Sequence, residues 1–149
     1  MAGFLYTIYR NSVVGVTAVT AARIDADTDT LMAFFSDDGT VTPAIGDTFQ
    51  VAYATSENPA FAAPENLASV TAGVVASGVV DAADSVFTSA SVLTGSTSVE
   101  SLIVSKNTGV AATSPNLAHW DSANATGLPL TPNGADVTVV WNAAGLWRF

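Results

Sequence analysis

The chain has no cysteine, one histidine and only four basic residues among its 149. Without cysteine there is no disulfide scaffold, no thiolate zinc ligand and no thiol nucleophile. The cations Arg10, Arg23, Lys106 and Arg148 stand against thirteen acids, for a net charge of −9. Four scattered cations are too few to displace counterions along a phosphate backbone or to hold an anionic bilayer surface. No nucleic-acid partner and no membrane partner are expected. Gly73 and Gly78 are not followed by Lys-Ser or Lys-Thr, so no phosphate-cradling loop is present. The first ten residues, M-A-G-F-L-Y-T-I-Y-R, lack the basic segment, long apolar run and cleavage site of a secretory signal. The longest weakly polar run, residues 70–80, is interrupted by Thr71, Gly73, Ser77 and Gly78 and is too short to span a bilayer. An intracellularly made, soluble protein is expected.

Charge is scarce too, at 11% of residues, while about half the chain is apolar (49%). That composition is not the one of a disordered polymer. Abundant Val and Thr favour strands, and the length suits one domain with its own core.

The clearest pattern is the last seventeen residues, N-G-A-D-V-T-V-V-W-N-A-A-G-L-W-R-F. Asn133-Gly134 is a strong turn pair because both residues tolerate positive φ. In the period-2 run that follows, Val137, Val139 and Trp141 share one face, and Thr138, Val140 and Asn142 the other. Gly145 permits a bend. Two of the three tryptophans fall here, and Trp141, Trp147 and Phe149 are candidate core or interface aromatics. A terminus frays unless something ties it down, so this stretch is expected to be central to a core or an interface.

Earlier segments give a series of short strands. D-T-L-M-A-F-F (29–35) and D-T-F-Q-V-A-Y (47–53) each run from Asp-Thr into an aromatic end, and turn residues 36–39 and 42–43 between them predict a hairpin or meander. Residues 13–22 read as a strand. Residues 56–66, with two prolines, read as a loop with a helical turn after Pro64. Residues 70–80 are small and apolar, a break follows at 81–84, and β-like alternation resumes over 85–93. V-E-S-L-I-V (99–104) is a strand, 106–109 a turn, and 114–132, including His119-Trp120-Asp121, a loop. Period-2 runs outnumber helical ones. The fold class expected is all-β: a single-domain antiparallel β-sandwich or barrel-like fold.

Residues 4–9, F-L-Y-T-I-Y, have two competing readings. They form either the first strand of the domain or an extended N-terminal arm over residues 1–12 that docks on a partner through Phe4, Tyr6 and Tyr9, leaving 13–149 as the β domain.

Catalytic and ligand chemistry find little support. Asp25, Asp27 and Asp29 have the opening spacing of an EF-hand loop, but Thr30 and Ser36 stand where it needs Gly and Glu. His119 has no nucleophile elbow of the G-x-S-x-G type near it, and His-Trp-Asp in a loop reads as a hydrogen-bonded turn. Three glutamates and ten aspartates allow a glycosidase pair in space without locating one. One histidine with carboxylates suits calcium rather than zinc. Trp120, Trp141 and Trp147 fit sugar stacking or, more commonly in strands, a core. No catalytic residue, metal or cofactor is expected.

The C-terminal third resembles a family of small tailed-bacteriophage virion proteins. Their chains close on an N-G-[GA]-D element, a [VI]-T-[VI]-x-W-[ND] strand and an A-x-G-[IL] end. Here the matching residues are T-G-L-P-L-T-P-N-G-A-D-V-T-V-V-W-N-A-A-G-L-W-R-F (126–149), preceded by V-E-S-L-I-V-S-K-N-T-G (99–109). Both Asp29-Thr30 and Asp47-Thr48 fit that family's early D-T-[FI]-x-[VM]-A strand. The resemblance implies a virion structural protein with no enzymatic activity. Its foremost form is a head decoration (cement) protein that binds the major capsid protein as a homo-oligomer, dimer or trimer. It would be made in the host cytoplasm and sit on the outer surface of the phage head. The alternative is a tail, baseplate or fibre-associated protein that binds host glycan, for which exposed aromatics around a cleft, Trp120 among them, are expected.

Overall fold

In a computed structural model of the chain, the residues described are 4–5, 29–54, 64–72, 79–88 and 98–148. Among them ten strands follow in order: β1 Phe4–Leu5, β2 Thr30–Ser36, β3 Glu65–Asn66, β4 Thr71–Ala72, β5 Val79–Asp81, β6 Ser85–Phe87, β7 Ser101–Asn107, β8 Asn116–Trp120, β9 Val137–Val139 and β10 Trp147–Arg148. The only helical element among the described residues is a 3-10 turn, Gln50–Ala52. The fold is therefore all-β. Its strands form a five-stranded sheet in the order β1-β8-β7-β2-β3, a three-stranded sheet β10-β5-β4 and a two-stranded ribbon β6-β9. Every pairing is antiparallel, and the main sheet is open, ending on β1 and β3.

β2 and β7 are the backbone of the molecule. They pair over seven residues without a slip, from Thr30 opposite Asn107 to Ser36 opposite Ser101. Six successive residues of β2 and five of β7 are buried. A strand with one wet face would alternate, so unbroken burial means that both faces of this pair are covered. On one face Leu31, Ala33 and Phe35 meet Leu102 and Val104. They pack in the main core with Leu117 of β8, Leu67 after β3, Val99 before β7, Val80 and Phe87 of the two smaller sheets, and Leu146 before β10. On the other face Phe34 and Ile103 pack with Tyr53 in a second, smaller core.

The second core is made by a loop rather than a strand. Residues 47–53 lie across the end of the β7–β8 hairpin, where Gln50 N–H donates to Ser114 O (2.9 Å), Asn116 N–H to Thr48 O (3.0 Å) and Asn116 Nδ2 to Asp47 O (3.1 Å). The Tyr53 hydroxyl donates to Asp47 Oδ2 at 2.9 Å. This corrects the expected hairpin between 29–35 and 47–53: β2 is flanked by β7 and β3, and Phe49 forms only a single bridge, to Pro115. Once the aromatic face of β2 is covered by Tyr53 on a folded-back turn, residues 47–53 have no open edge of β2 to join.

Three further expectations change. The predicted loop 114–132 holds β8, which lies between β1 and β7. Apolar Leu117 and Ala118 are buried in it beside polar Asn116 and His119, which hydrogen-bond to Ser105 and Ser101 of β7. A register irregularity between Val104 and Ser105 places the extra residue, Leu117, in the main core. In place of a helical turn after Pro64, β3 pairs with Met32 and Ala33. The C-terminal stretch is not the centre of the fold. Among the described residues β9 pairs only with β6, and β10 pairs with Val79 and Val80. Its face assignment does hold: Val137, Val139 and Trp141 pack against the main core, while Thr138, Val140 and Asn142 are exposed. Phe4 and Leu5 pair with His119 and Ala118 as a sheet edge. Residues 13–22, Tyr6, Tyr9, Asp25, Asp27 and Phe149 lie outside the described residues. No helix among the described residues is long and apolar enough to cross a membrane.

Candidate functional site

All three tryptophans converge on one place. Trp120 ends β8, directly opposite Leu102. Trp141 follows β9, with its backbone N–H on Asp84 Oδ1 (3.0 Å) and its indole Nε1 on Ser85 Oγ (3.2 Å). The Trp120 ring centroid is 5.7 Å from that of Trp141 and 6.1 Å from that of Trp147, both tilted. Such offset, tilted rings are the favoured aromatic geometry. All three are half-buried.

Trp120 and Trp141 form part of the wall of a cleft of about 640 Å³, a size typical of small-molecule sites. Its floor is the main core, through Phe35, Leu102 and Leu146. The turn after β8 makes one rim, with Asn124, Thr126 and Leu128, and β9 with its continuation makes the other, with Thr138, Val140 and Asn142. Asp121 holds the first rim. Its Oδ1 accepts from Ala123 N–H (2.9 Å) and Asn124 Nδ2 (3.0 Å), and its carbonyl from Ala125 N–H (2.9 Å). The turn expected at His119-Trp120-Asp121 starts only at Asp121, because His119 and Trp120 belong to β8. None of the described residues lining the cleft is ionisable.

A second constellation lies on the opposite face of the main sheet. The Ser101 hydroxyl is 2.7 Å from Asp38 Oδ2 and 2.9 Å from His119 Nε2. The Asp38 backbone N–H in turn donates to Glu100 Oε2 at 2.9 Å. When Asp38 is ionised the single hydroxyl proton goes to its carboxylate, and the serine oxygen then accepts from an Nε2–H tautomer of His119. Burial is the first cause that pushes Asp38 up to about 6; the Ser101 hydrogen bond lowers it, and the charges of Glu100, Asp121 and Asp37 raise it further. Burial also lowers His119 below the usual imidazole range, against the pull of Asp121.

The residues are those of a hydrolytic triad, but the order is not. In a triad the histidine stands between nucleophile and acid; here the serine stands between acid and histidine. Ser101 is fully buried and His119 is 4% exposed, so the hydroxyl has no approach for a substrate carbonyl. What the arrangement can do is pass a proton along a buried line and fix the β7–β8 register. The sequence carried a signal for it. In S-L-I-V-S, period 2 places Ser101, Ile103 and Ser105 on one face, and Ser105 likewise donates to Asn116 Oδ1 (2.8 Å).

Of the candidate residues, Trp141 and Trp147 are brought together with Trp120. Phe4 is placed by its backbone in β1. Asp29, from the acidic run, pairs with Lys106 Nζ at 2.8 Å. No group of three or more His, Asp or Glu among the described residues is arranged to hold a metal ion. In comparisons with protein-family models and with curated proteins, nothing matches this chain.

Proposed function

We propose that the protein is a structural component of a tailed-phage particle, and that it decorates the head by binding the major capsid protein as a homo-oligomer, a dimer or a trimer, on the outer surface. The observation that carries this reading is the resemblance over residues 126–149. Among residues 126–148 the stretch folds as the Asn133-Gly134 turn, β9 paired with β6, the anchored Trp141, the Gly145 bend and β10 paired with β5. A role without catalysis is supported by the burial of the one serine–histidine pair described above. Contact with a neighbour is supported by the β6–β9 ribbon. It exposes Val86 at 51% and carries Val140, at 72%, beside it, and in the described residues no third strand covers its edges.

Adding the purified chain to capsids that lack it, followed by imaging, tests this. Regular occupancy over the shell is the expected result. Absence from heads with density at the tail would replace this reading by the second: a tail, baseplate or fibre-associated protein that binds host glycan. One observation favours that second reading, the tryptophan-walled cleft.

A further inference from the structure

We propose that the cleft walled by Trp120 and Trp141 is a binding site for a neutral, N-acetylated oligosaccharide. The inference deepens the glycan-binding reading by naming the ligand class, yet it concerns the cleft alone and applies equally to a head protein. Failure of capsid binding and failure of sugar binding are thus separate results.

Charge gives the first restriction. The chain carries −9 overall, but among the described residues no ionisable side chain lines this cleft. A phosphate, sulfate, uronate or sialate would enter without a cation to pair with it, against the field of the whole molecule. A cationic ligand would find no carboxylate inside. The occupant is uncharged.

Shape and chemistry give the second. Indole faces accept the C–H face of a pyranose ring, and an amphipathic ring with its polar edge turned outward suits a half-buried tryptophan. Trp147 does not line the cleft but packs on Trp120, so the stacking surface is braced before any ligand arrives, which reduces the ordering cost of binding. Polar partners stand on the rims. The hydroxyls of Thr126 and Thr138 and the Nδ2 of Asn142 make no hydrogen bond among the described residues, whereas Asn142 Oδ1 is engaged by Ala144 N–H at 2.8 Å.

The floor gives the third. Phe35, Leu102 and Leu146 present only hydrocarbon. A plain hexose is hydroxylated around its whole edge and would leave a hydroxyl unpaired against that floor. An acetamido group instead offers a methyl for the hydrocarbon and an amide for the threonine and asparagine rim.

The test is a titration of the full chain with chitotetraose, read by intrinsic tryptophan emission. All three tryptophans belong to the Trp120 cluster, so the signal reports on the cleft wall. A saturable shift at sub-millimolar sugar is expected, with cellotetraose at least tenfold weaker and sialyllactose without effect. Trp141→Ala is expected to weaken binding tenfold or more. Thr138→Val, on an exposed position that the core does not use, is expected to weaken it several-fold at an unchanged melting temperature, so the test does not depend on Trp141→Ala folding. No saturation up to millimolar chitotetraose overturns the proposal. Equal or tighter binding of cellotetraose overturns the acetamido assignment. Self-association that sugar does not compete away overturns it too, by making the cleft an interface between copies.

Discussion

Ser101 and His119 are joined across the β7–β8 ladder by a contact of 2.9 Å between Oγ and Nε2, on the face of the sheet that also carries Phe34 and Ile103. The serine is the middle of a three-residue line, because its proton is spent on Asp38 Oδ2. Removing the hydroxyl strips two partners at once. Ser101→Ala is expected to destabilise the chain by about 1–3 kcal/mol, the cost of leaving buried polar atoms unpaired. Urea unfolding checks this: the midpoint should fall with an unchanged slope. An unchanged midpoint would mean that the line carries no stability.

The acid end of that line makes stability depend on pH. The folded chain holds the Asp38 proton up to about pH 6, while the unfolded chain releases it near the ordinary carboxylate value of 3.8. Between these values the folded state binds more protons, so this contribution is full below the ordinary value and is lost as pH rises through about 6. His119 acts in the opposite sense: its folded affinity for protons is reduced, so it costs stability as pH falls below the ordinary imidazole value. Asp38→Asn isolates the first effect and keeps an acceptor for Ser101. Relative to the wild type, the variant is expected to gain stability from about pH 4 to pH 7, reaching about 1 kcal/mol after discounting for the partial exposure of Asp38. Thermal melts across that range read the gap, and a gap that does not change with pH would remove Asp38 as the titrating group.

Two adjacent phenylalanines test the double-sided burial of β2. Phe34 is 0% exposed and lies 5.6 Å, centroid to centroid, from Tyr53 in the small core. Phe35 is 4% exposed and lies 4.8 Å from Phe87 in the main one. In a sheet with one wet face only one of them would matter. Here Phe34→Ala and Phe35→Ala are each expected to cost about 3–5 kcal/mol. Chemical denaturation of both variants checks this, and a cost below about 1 kcal/mol for Phe34→Ala would show that the 47–53 turn does not seal that face.

What the sequence made legible divides along the same line. Continuous apolar runs marked β2 and β7, and period-2 patterning gave the faces of β9, where apolar and polar residues sort by side. It misplaced 47–53, since an Asp-Thr start and an aromatic end describe a strand and a loop that plugs a core equally well; only the neighbours of β2 decide. It missed β8 because Asn116 and His119 are buried by hydrogen bonds to Ser105 and Ser101 rather than by apolar character, and such pairs are separated by the β7–β8 turn in sequence. The Trp120 cleft was visible only as three aromatics of uncertain use. Its uncharged lining is a property of several segments at once.

The two turn glycines of the C-terminal stretch separate conformational cost from steric cost. Gly134 and Gly145 both have positive φ, 81° and 96°. A Cβ on Gly134 meets nothing within 4 Å, whereas one on Gly145 would run into the Val79 side chain and come within 2.8 Å of the Val80 carbonyl oxygen. That crowding follows from the role of Gly145, which brings Leu146 N–H to Val80 O at 2.7 Å and so starts the β10–β5 pairing. Gly134→Ala is expected to cost only the left-handed penalty, about 1–2 kcal/mol. Gly145→Ala adds a clash with backbone that cannot swing aside and is expected to cost about 2–4 kcal/mol. Because Trp147 follows the bend and rests on Trp120, Gly145→Ala is also expected to shift tryptophan emission in the folded state, and Gly134→Ala is not. Equal destabilisation by the two substitutions would show that the chain end relaxes freely, and that β10 does not hold the tryptophan cluster in place.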